Sequence, residues 1–236
     1  MTTRDPRATA LARFAALFAD ETRAACLVAL LDGRAWTAGE LARHAGVAAS
    51  TLSEHLGRLV AGGLLTEERQ GRHRYVRLAD ARIAQLVEDL AAQVSPAPAV
   101  RPRTLRESNA GSAMARGRTC YDHLAGRLGI AVTDALSARG LLQQETGFAL
   151  TDAGMEWFVS AGIALDRRSR RPLARACLDW TERRPHLAGV AGAALCRHAL
   201  DTGWCVRIGS ERAVKVTSAG ERALSDLLGV EAAALR

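Results

Sequence analysis

The residues best suited to chemistry are Cys120 and His123, in the run Cys120-Tyr-Asp-His123-Leu-Ala-Gly126, and Cys177, Trp180 and His186 further along. On a helix, Cys120 and His123 stand three positions apart and share a face, from which a thiolate and an imidazole could clamp one metal. Cys177-Leu-Asp-Trp180, followed after a short insertion by His186, offers related groups. Such a set suits Zn(II), Cu(I) or a metalloid such as As(III). The same thiols support a redox reading, since a cysteine beside His123, or near Arg116 and Arg118, would have a lowered pKa and react with oxidants or electrophiles. They equally fit plain packing, because free cysteine is among the most buried residue types. The third chemistry is recognition of an organic molecule. Tyr121, Phe148, Trp157, Phe158, Trp180 and Trp204 place six of the ten aromatic residues in the C-terminal half. Aromatics with a few polar groups line small-molecule pockets, and they also fill cores.

Those residues lie in an internal repeat. His123-Leu-Ala-Gly126 is matched by His186-Leu-Ala-Gly189, Gly129 by Gly192 and Gly140 by Gly203, all at an offset of 63. Each copy then passes through a hairpin into LTDAGMEWF (Leu150 to Phe158) or VTSAGERAL (Val216 to Leu224), where the offset grows to 66. The expected unit is helix, glycine, short strand, turn, strand, and a helix opened by a Thr cap. Two degenerate winged-helix-like repeats, about 119–160 and 175–230, are expected to make up a domain at 119–236. A domain of that size exceeds what a metal clamp demands, which favours an organic ligand slightly over a metal, a metalloid or a redox signal. The candidate ligand residues are Cys120, Tyr121, His123, Cys177, Trp180 and His186.

Before the repeat, Ser95 to Arg103 reads SPAPAVRPR, whose three prolines cannot continue a helix. A linker is expected over 95–118. The preceding domain, 1–94, holds two short helices joined by a turn at Gly46. Leu41 and Ala45 line the first helix, and Ala49, Leu52, Leu56 and Leu59 line the second at helical spacing. The other side of the second helix offers Ser50, Thr51, Ser53, His55 and Arg58, short polar and basic groups that reach base edges and phosphates. Gly62-Gly63 ends that helix, and a hairpin turning at Gln70-Gly71 carries Arg69, Arg72 and Arg74. Phe14, Leu17 and Phe18 belong to an amphipathic helix in front. Asp20 caps the next, which buries Cys26, Leu27, Leu30 and Leu31. Asp80 caps a last one carrying Ile83, Leu86, Val87 and Leu90, a narrow stripe suited to a dimer seam.

The net charge of +7 favours polyanionic partners, yet residues 1–90 carry only +1 of it. Binding of a nucleic acid by that half therefore depends on locally placed charge. Arg167, Arg168, Arg170, Arg171, Arg183 and Arg184 either extend a DNA surface or form a solvated loop. Five cysteines without a Cys-x-x-Cys pair argue against a disulfide framework. The opening segment lacks a hydrophobic run and no stretch reaches membrane-spanning length, so a cytoplasmic protein without membrane contact is expected. No Ser-His-Asp order, phosphate-cradling glycine loop or HExxH run is present, and no enzyme is expected.

The runs LFADETR at 17–23, ELARHAGVAASTLSEHLGRLVAGGLL at 40–65 and RYVRLAD at 74–80 resemble the ArsR/SmtB family of bacterial repressors. The resemblance implies a mainly α fold with small β-hairpin wings and a homodimer that binds double-stranded operator DNA and releases it when a small effector binds. It places Ser50, Thr51, Ser53, His55 and Arg58 on the recognition helix, and Arg69, Arg72 and Arg74 on the wing. Metal-sensing members carry paired cysteines where this chain has Trp36-Thr-Ala-Gly39, or a carboxylate and histidines on the last helix, where only Asp80 fits. The N-terminal domain thus lacks either metal set, and sensing is expected after residue 103. No cofactor is certain; a metal, a metalloid or an organic effector remain the candidates. The alternative is an architectural DNA-binding protein whose repeats serve oligomerisation.

Overall fold

The computed structural model describes residues 5–70, 73–94, 105–145, 147–209 and 212–235. They form two compact units, Met1–Val87 and Glu88–Arg236. The division therefore falls earlier than the expected 94/95 boundary, and part of the expected linker is a helix. The prolines of SPAPAVRPR and the wing residue Arg72 lie outside the described residues.

In the first unit α1 (Pro6–Ala15) starts at Asp5, whose carboxylate accepts from Arg7 N at 2.8 Å. The apolar spacing predicts that Leu17 and Phe18 continue this helix, but it stops at Ala15. The Arg23 side chain donates to the carbonyls of Leu17 and Ala16, each at 2.8 Å, satisfying acceptors that a helix end leaves free. Phe18 turns back edge-on to Phe14, ring centroids 5.6 Å apart. Helix α2 (Glu21–Ala29) is capped by Asp20, and a 3-10 turn follows it to Asp32. Cys26, Leu27, Leu30 and Leu31 are fully buried, as their spacing requires.

Strand β1 (Trp36–Thr37) leads into α3 (Ala38–Ala45). A reciprocal cap fixes the start of α3: Glu40 N donates to Thr37 Oγ1 at 3.2 Å, and Thr37 N donates to Glu40 Oε2 at 2.8 Å. Gly46 ends it at φ +70°, a backbone conformation that a Cβ would strain. Helix α4 (Ala49–Ala61) buries Leu52, Leu56 and Leu59, while Ala49 is exposed at its first turn. Strands β2 (Leu65–Gln70) and β3 (His73–Leu78) pair antiparallel, and β1 adds to β3, giving the order β1-β3-β2. Helix α5 (Ala81–Gln93) is capped by Asp80, which accepts from Arg82 N and Ile83 N. Val87 is buried and Leu90 exposed.

The second unit takes in the end of α5 from Glu88 and α6 (Leu105–Arg116). Its first repeat is a hairpin of β4 (Arg118–Cys120) and β5 (His123–Ala125), then α7 (Gly126–Ala138), β6 (Leu142–Gln143), β7 (Ala149–Leu150) and α8 (Asp152–Ser160). The second repeats that order with β8 (Arg175–Leu178), β9 (Pro185–Ala188), α9 (Gly189–Asp201), β10 (Cys205–Arg207), β11 (Val214–Val216) and α10 (Ser218–Leu228). Thr151 and Thr217 cap α8 and α10 by accepting from Gly154 N and Gly220 N. Each repeat thus opens on a hairpin rather than on the expected helix.

The repeats pack reciprocally. A Cβ on Gly129 of α7 would lie 2.5 Å from Leu124 O and 3.7 Å from Cβ of His186; one on Gly192 of α9 would lie 2.4 Å from Leu187 O and 3.1 Å from Cβ of His123. Glycine lets each helix close on the other repeat's histidine. The main core runs through both helices, with Leu128, Leu136, Phe158, Leu187 and Leu195 buried. The fold as a whole is mainly helical with small antiparallel hairpins.

Candidate functional site

Helix α4 sorts its residues cleanly. With Leu52, Leu56 and Leu59 turned inward, Ser50, Thr51, Ser53 and Arg58 are exposed on the opposite side. His55 departs from the expectation: its Nδ1 lies 3.5 Å from Asp20 Oδ1 and 3.4 Å from Arg23 Nη1, and only 17% of its side chain is accessible. It braces α4 against the start of α2. On the wing Arg69 is exposed, whereas Arg74 is held across the hairpin by Glu67, with Nε 2.7 Å from Oε2.

In the second unit, Cys120 faces His123 across the β4–β5 hairpin, and Cys177 faces His186 across β8–β9. Spacing alone allows Cys120 and His123 to share a helix face, but strand register joins each cysteine to its histidine instead. The packing of the repeats then brings the hairpins together, so that the ligand atoms of Cys120, His123, Cys177 and His186 all lie within 4.8 Å of one another. The two Sγ atoms are 3.9 Å apart and the imidazole centroids 5.0 Å apart. None of the four is more than 5% exposed.

A carboxylate stands behind each ring. His123 Nδ1 is 3.3 Å from Asp122 Oδ1, and His186 Nδ1 is 3.5 Å from Asp179 Oδ2. His123 Nε2 and both ring nitrogens of His186 have no hydrogen-bond partner. Buried polar atoms of this kind cost free energy unless something else satisfies them. Two thiols and two imidazoles around one point are the donor set of a four-coordinate metal site.

The electrostatics separate the two thiols. Cys120 is pushed above the usual thiol range by its hydrogen bond with Cys177, by burial and by Glu88. Cys177 is held below that range by the hydrogen bond with Cys120, against burial, and by His123 and His186. Burial works against protonation of His123, but Asp122 and Cys177 outweigh it and raise its pKa. The expected activation of Cys120 by Arg118 fails because that guanidinium is already committed. Arg118 Nη2 donates to Asp179 Oδ1 at 2.9 Å, and its Nε lies 3.3 Å from Glu88 Oε1. The other cysteines are ordinary buried thiols, with Cys26 pushed up to about 11 and Cys196 and Cys205 to about 12 by burial.

Glu88 gives no local signal in the sequence. Only 1% exposed, it also accepts from Cys120 Sγ at 2.9 Å, Trp180 Nε1 at 3.0 Å and Arg212 Nη2 at 2.5 Å. Asp179 takes Arg118 and Thr181 on one oxygen and Gly126 N, at 2.7 Å, on the other, tying the second repeat to the start of α7.

The aromatic candidates are spread over the second unit, and Tyr121 lines a cleft of about 440 Å³ with Asp122 and Arg171. Phe158 is fully buried, with Phe148, Trp157 and Trp204 packed on the same core. Tyr121 sits at the β4–β5 turn, 40% exposed, with the Arg171 guanidinium over its ring. Trp180 is engaged by Glu88 and Arg118. A cleft of about 700 Å³ in this unit is lined by Leu128, Val206, Val214 and Lys215 among others, and by no aromatic residue. Of the exposed arginines, Arg171 pairs with Asp122 and Arg184 with Asp134.

An apolar-backed helix with a polar outer face, set beside a three-stranded wing, defines the first unit as a winged helix-turn-helix, a DNA-binding module. Comparison with known proteins agrees. A helix-turn-helix domain model matches residues 18–68. The uncharacterised HTH-type transcriptional regulator YdfF of Bacillus subtilis (strain 168) is 38% identical over 224 residues, covering 94% of this chain and 98% of that protein. The HTH-type transcriptional regulator CmtR of Mycobacterium tuberculosis (strain H37Rv) is 36% identical over 114 residues, covering 48% of this chain and 96% of its own length. The solution structure of the cadmium metal-sensor CmtR from M. tuberculosis, 36% identical, aligns with a TM-score of 0.32 over 39% of this chain and 96% of that one. The chain belongs to the bacterial HTH-type transcriptional regulators. Among the described residues no helix is long and apolar enough to cross a membrane.

Proposed function

We propose that the chain is a homodimeric repressor that reads a two-fold operator through α4 and leaves it when an effector occupies the second unit. The observation that carries the DNA part is the sorting of α4, with three buried leucines on one side and Ser50, Thr51, Ser53 and Arg58 exposed on the other. Short polar groups at the start of such a helix reach base edges, and Arg58 and Arg69 supply phosphate contacts that the nearly neutral first 90 residues otherwise lack. Dimerisation is supported by large apolar side chains left exposed, Leu11 on α1 at 68% and Leu90 on α5 at 45%. One module covers a short site, and two-fold pairing doubles it.

Release follows from linkage. An effector that prefers the geometry unsuited to DNA weakens operator affinity by the coupling energy, about 1–3 kcal/mol in typical systems. Phe148, Trp157, Phe158 and Trp204 pack in the core of the second unit, and the support for sensing there comes from the buried Cys/His cluster.

Selection of a binding site from random duplex DNA by the full-length protein, followed by titration of Ser53→Ala with Arg58→Ala, tests the DNA part. The double variant is expected to lose preference for the selected site while remaining a dimer by light scattering. Undiminished site preference would remove α4 as the reading element.

A further inference from the structure

We propose that Cys120, His123, Cys177 and His186 bind one divalent d10 cation of the zinc class, clamped between the two repeats of the second unit. Each repeat contributes one thiolate and one imidazole, and each pair is fixed by hairpin register. The four ligand atoms already lie within 4.8 Å of one another, so assembly needs side-chain adjustment rather than a new fold.

Three observations separate this from simple packing. First, His123 Nε2 and His186 Nε2 are buried without a hydrogen-bond partner beside the thiols, and a metal would satisfy both. Second, the opposite ring nitrogens face Asp122 and Asp179, the carboxylate–histidine arrangement that orients metal-bound imidazoles. Third, Gly129 and Gly192 let each repeat's helix approach the Cβ of the other repeat's histidine, which brings the two hairpins together.

The donor set chooses among metals. Two thiolates and two imidazoles in a four-coordinate shell match Zn(II) and its heavier congener Cd(II). As(III) takes thiolates, and only two are here; Cys26, Cys196 and Cys205 are not in the cluster. Two thiolates also balance a dication, leaving a buried site with no net charge of its own. On binding, the Cys120 and Cys177 thiols give up their protons to solvent and both sulfurs become metal ligands. The hydrogen bond that Cys120 donates to Glu88 is thereby lost. Glu88 lies on α5, whose residues up to Val87 belong to the first unit, and the proposal extends to an effect of occupancy on DNA binding. This effect on DNA rests on the repressor reading above; the binding itself does not.

Reduced, chelator-stripped full-length protein is titrated with Co(II), a spectroscopic stand-in for zinc. The expected result is an intense tetrahedral d–d band with a thiolate charge-transfer band, saturating at one equivalent per chain and bleached by Zn(II). Cys177→Ser should weaken binding by at least about a hundredfold, more than loss of an outer-shell partner costs. His123→Cys keeps a ligand in place and should retain the tetrahedral spectrum with a stronger charge-transfer band. A weak six-coordinate spectrum in folded wild-type protein, or bands unchanged in both variants, would overturn the site. Operator binding by the same metal-free protein is measured separately by anisotropy. Absent metal binding with intact operator binding overturns the metal site alone, and the reverse pattern overturns the repressor reading alone.

Discussion

Cys120 Sγ donates to Glu88 Oε2 at 2.9 Å, and so links the Cys/His cluster to a carboxylate that also holds Arg118, Arg212 and Trp180. Glu88→Gln keeps the volume but removes the charge, leaving buried guanidinium groups short of a partner. Breaking a buried pair from one side costs about 3 kcal/mol or more. The variant is expected to unfold at clearly lower urea concentration. An unchanged midpoint would mean that the network contributes nothing to stability.

Gly192→Ala tests the reciprocal packing. The added Cβ would stand 2.4 Å from Leu187 O, a backbone atom that cannot swing aside. Overpacking of this kind costs about 1–3 kcal/mol. Because β9 carries His186, the shift should also reduce the tetrahedral Co(II) absorbance. A variant as stable as wild type, with the same spectrum, would contradict the close approach.

Acid should loosen the second unit. Burial works to raise the Asp122 carboxyl, but hydrogen bonds from His123 and Arg171 prevail and hold it down at about 2. Asp179 is likewise held below the usual carboxylate range, burial being outweighed by Arg118, Thr181 and backbone donors. A depressed folded pKa means stability that is present above the unfolded value, about 4, and lost as pH falls through the folded one. His123 acts oppositely: its raised pKa gives stability that is present below the unfolded value and lost as pH rises through the folded one. Urea midpoints of metal-free protein measured from pH 6 downward should therefore fall below about pH 4. A flat profile to pH 2.5 would exclude these carboxylates.

Arg69→Ala removes an exposed wing charge. Operator affinity should fall and the slope of log affinity against log salt should become shallower by roughly 1. His55→Ala, by contrast, removes a brace to Asp20 and should lower stability more than site preference. Equal salt slopes for wild type and Arg69→Ala would take the wing out of the interface.

The first unit was readable because its signals are local. Thr37 and Glu40 announce a cap three residues apart, Gly46 a turn, and Leu52, Leu56 and Leu59 a buried stripe. His55 escaped that reading because the helical pattern does not reveal that α2 presents Asp20 and Arg23 to it. In the second unit the cluster's residue types and their duplication were visible, but Cys120 and His123 were placed on a helix. Two intervening residues fit a tight hairpin as well as a helical turn, and here the hairpin won. The convergence of both pairs, and the roles of Glu88 and Asp179, arise from packing between segments far apart in sequence. Helix α6 was missed because its polar residues and Gly111 break the apolar rhythm. The aromatic residues were visible as a group, but nothing in their spacing said that the core would take most of them.

The decisive measurement is anisotropy of full-length protein on its selected operator, with and without one equivalent of Zn(II), for wild type and Cys120→Ser with Cys177→Ser. Zn(II) should weaken wild-type binding by about tenfold or more and leave the double variant's affinity unchanged. Identical wild-type affinities with and without Zn(II), in protein shown to hold the metal, would contradict control of DNA release through this cluster.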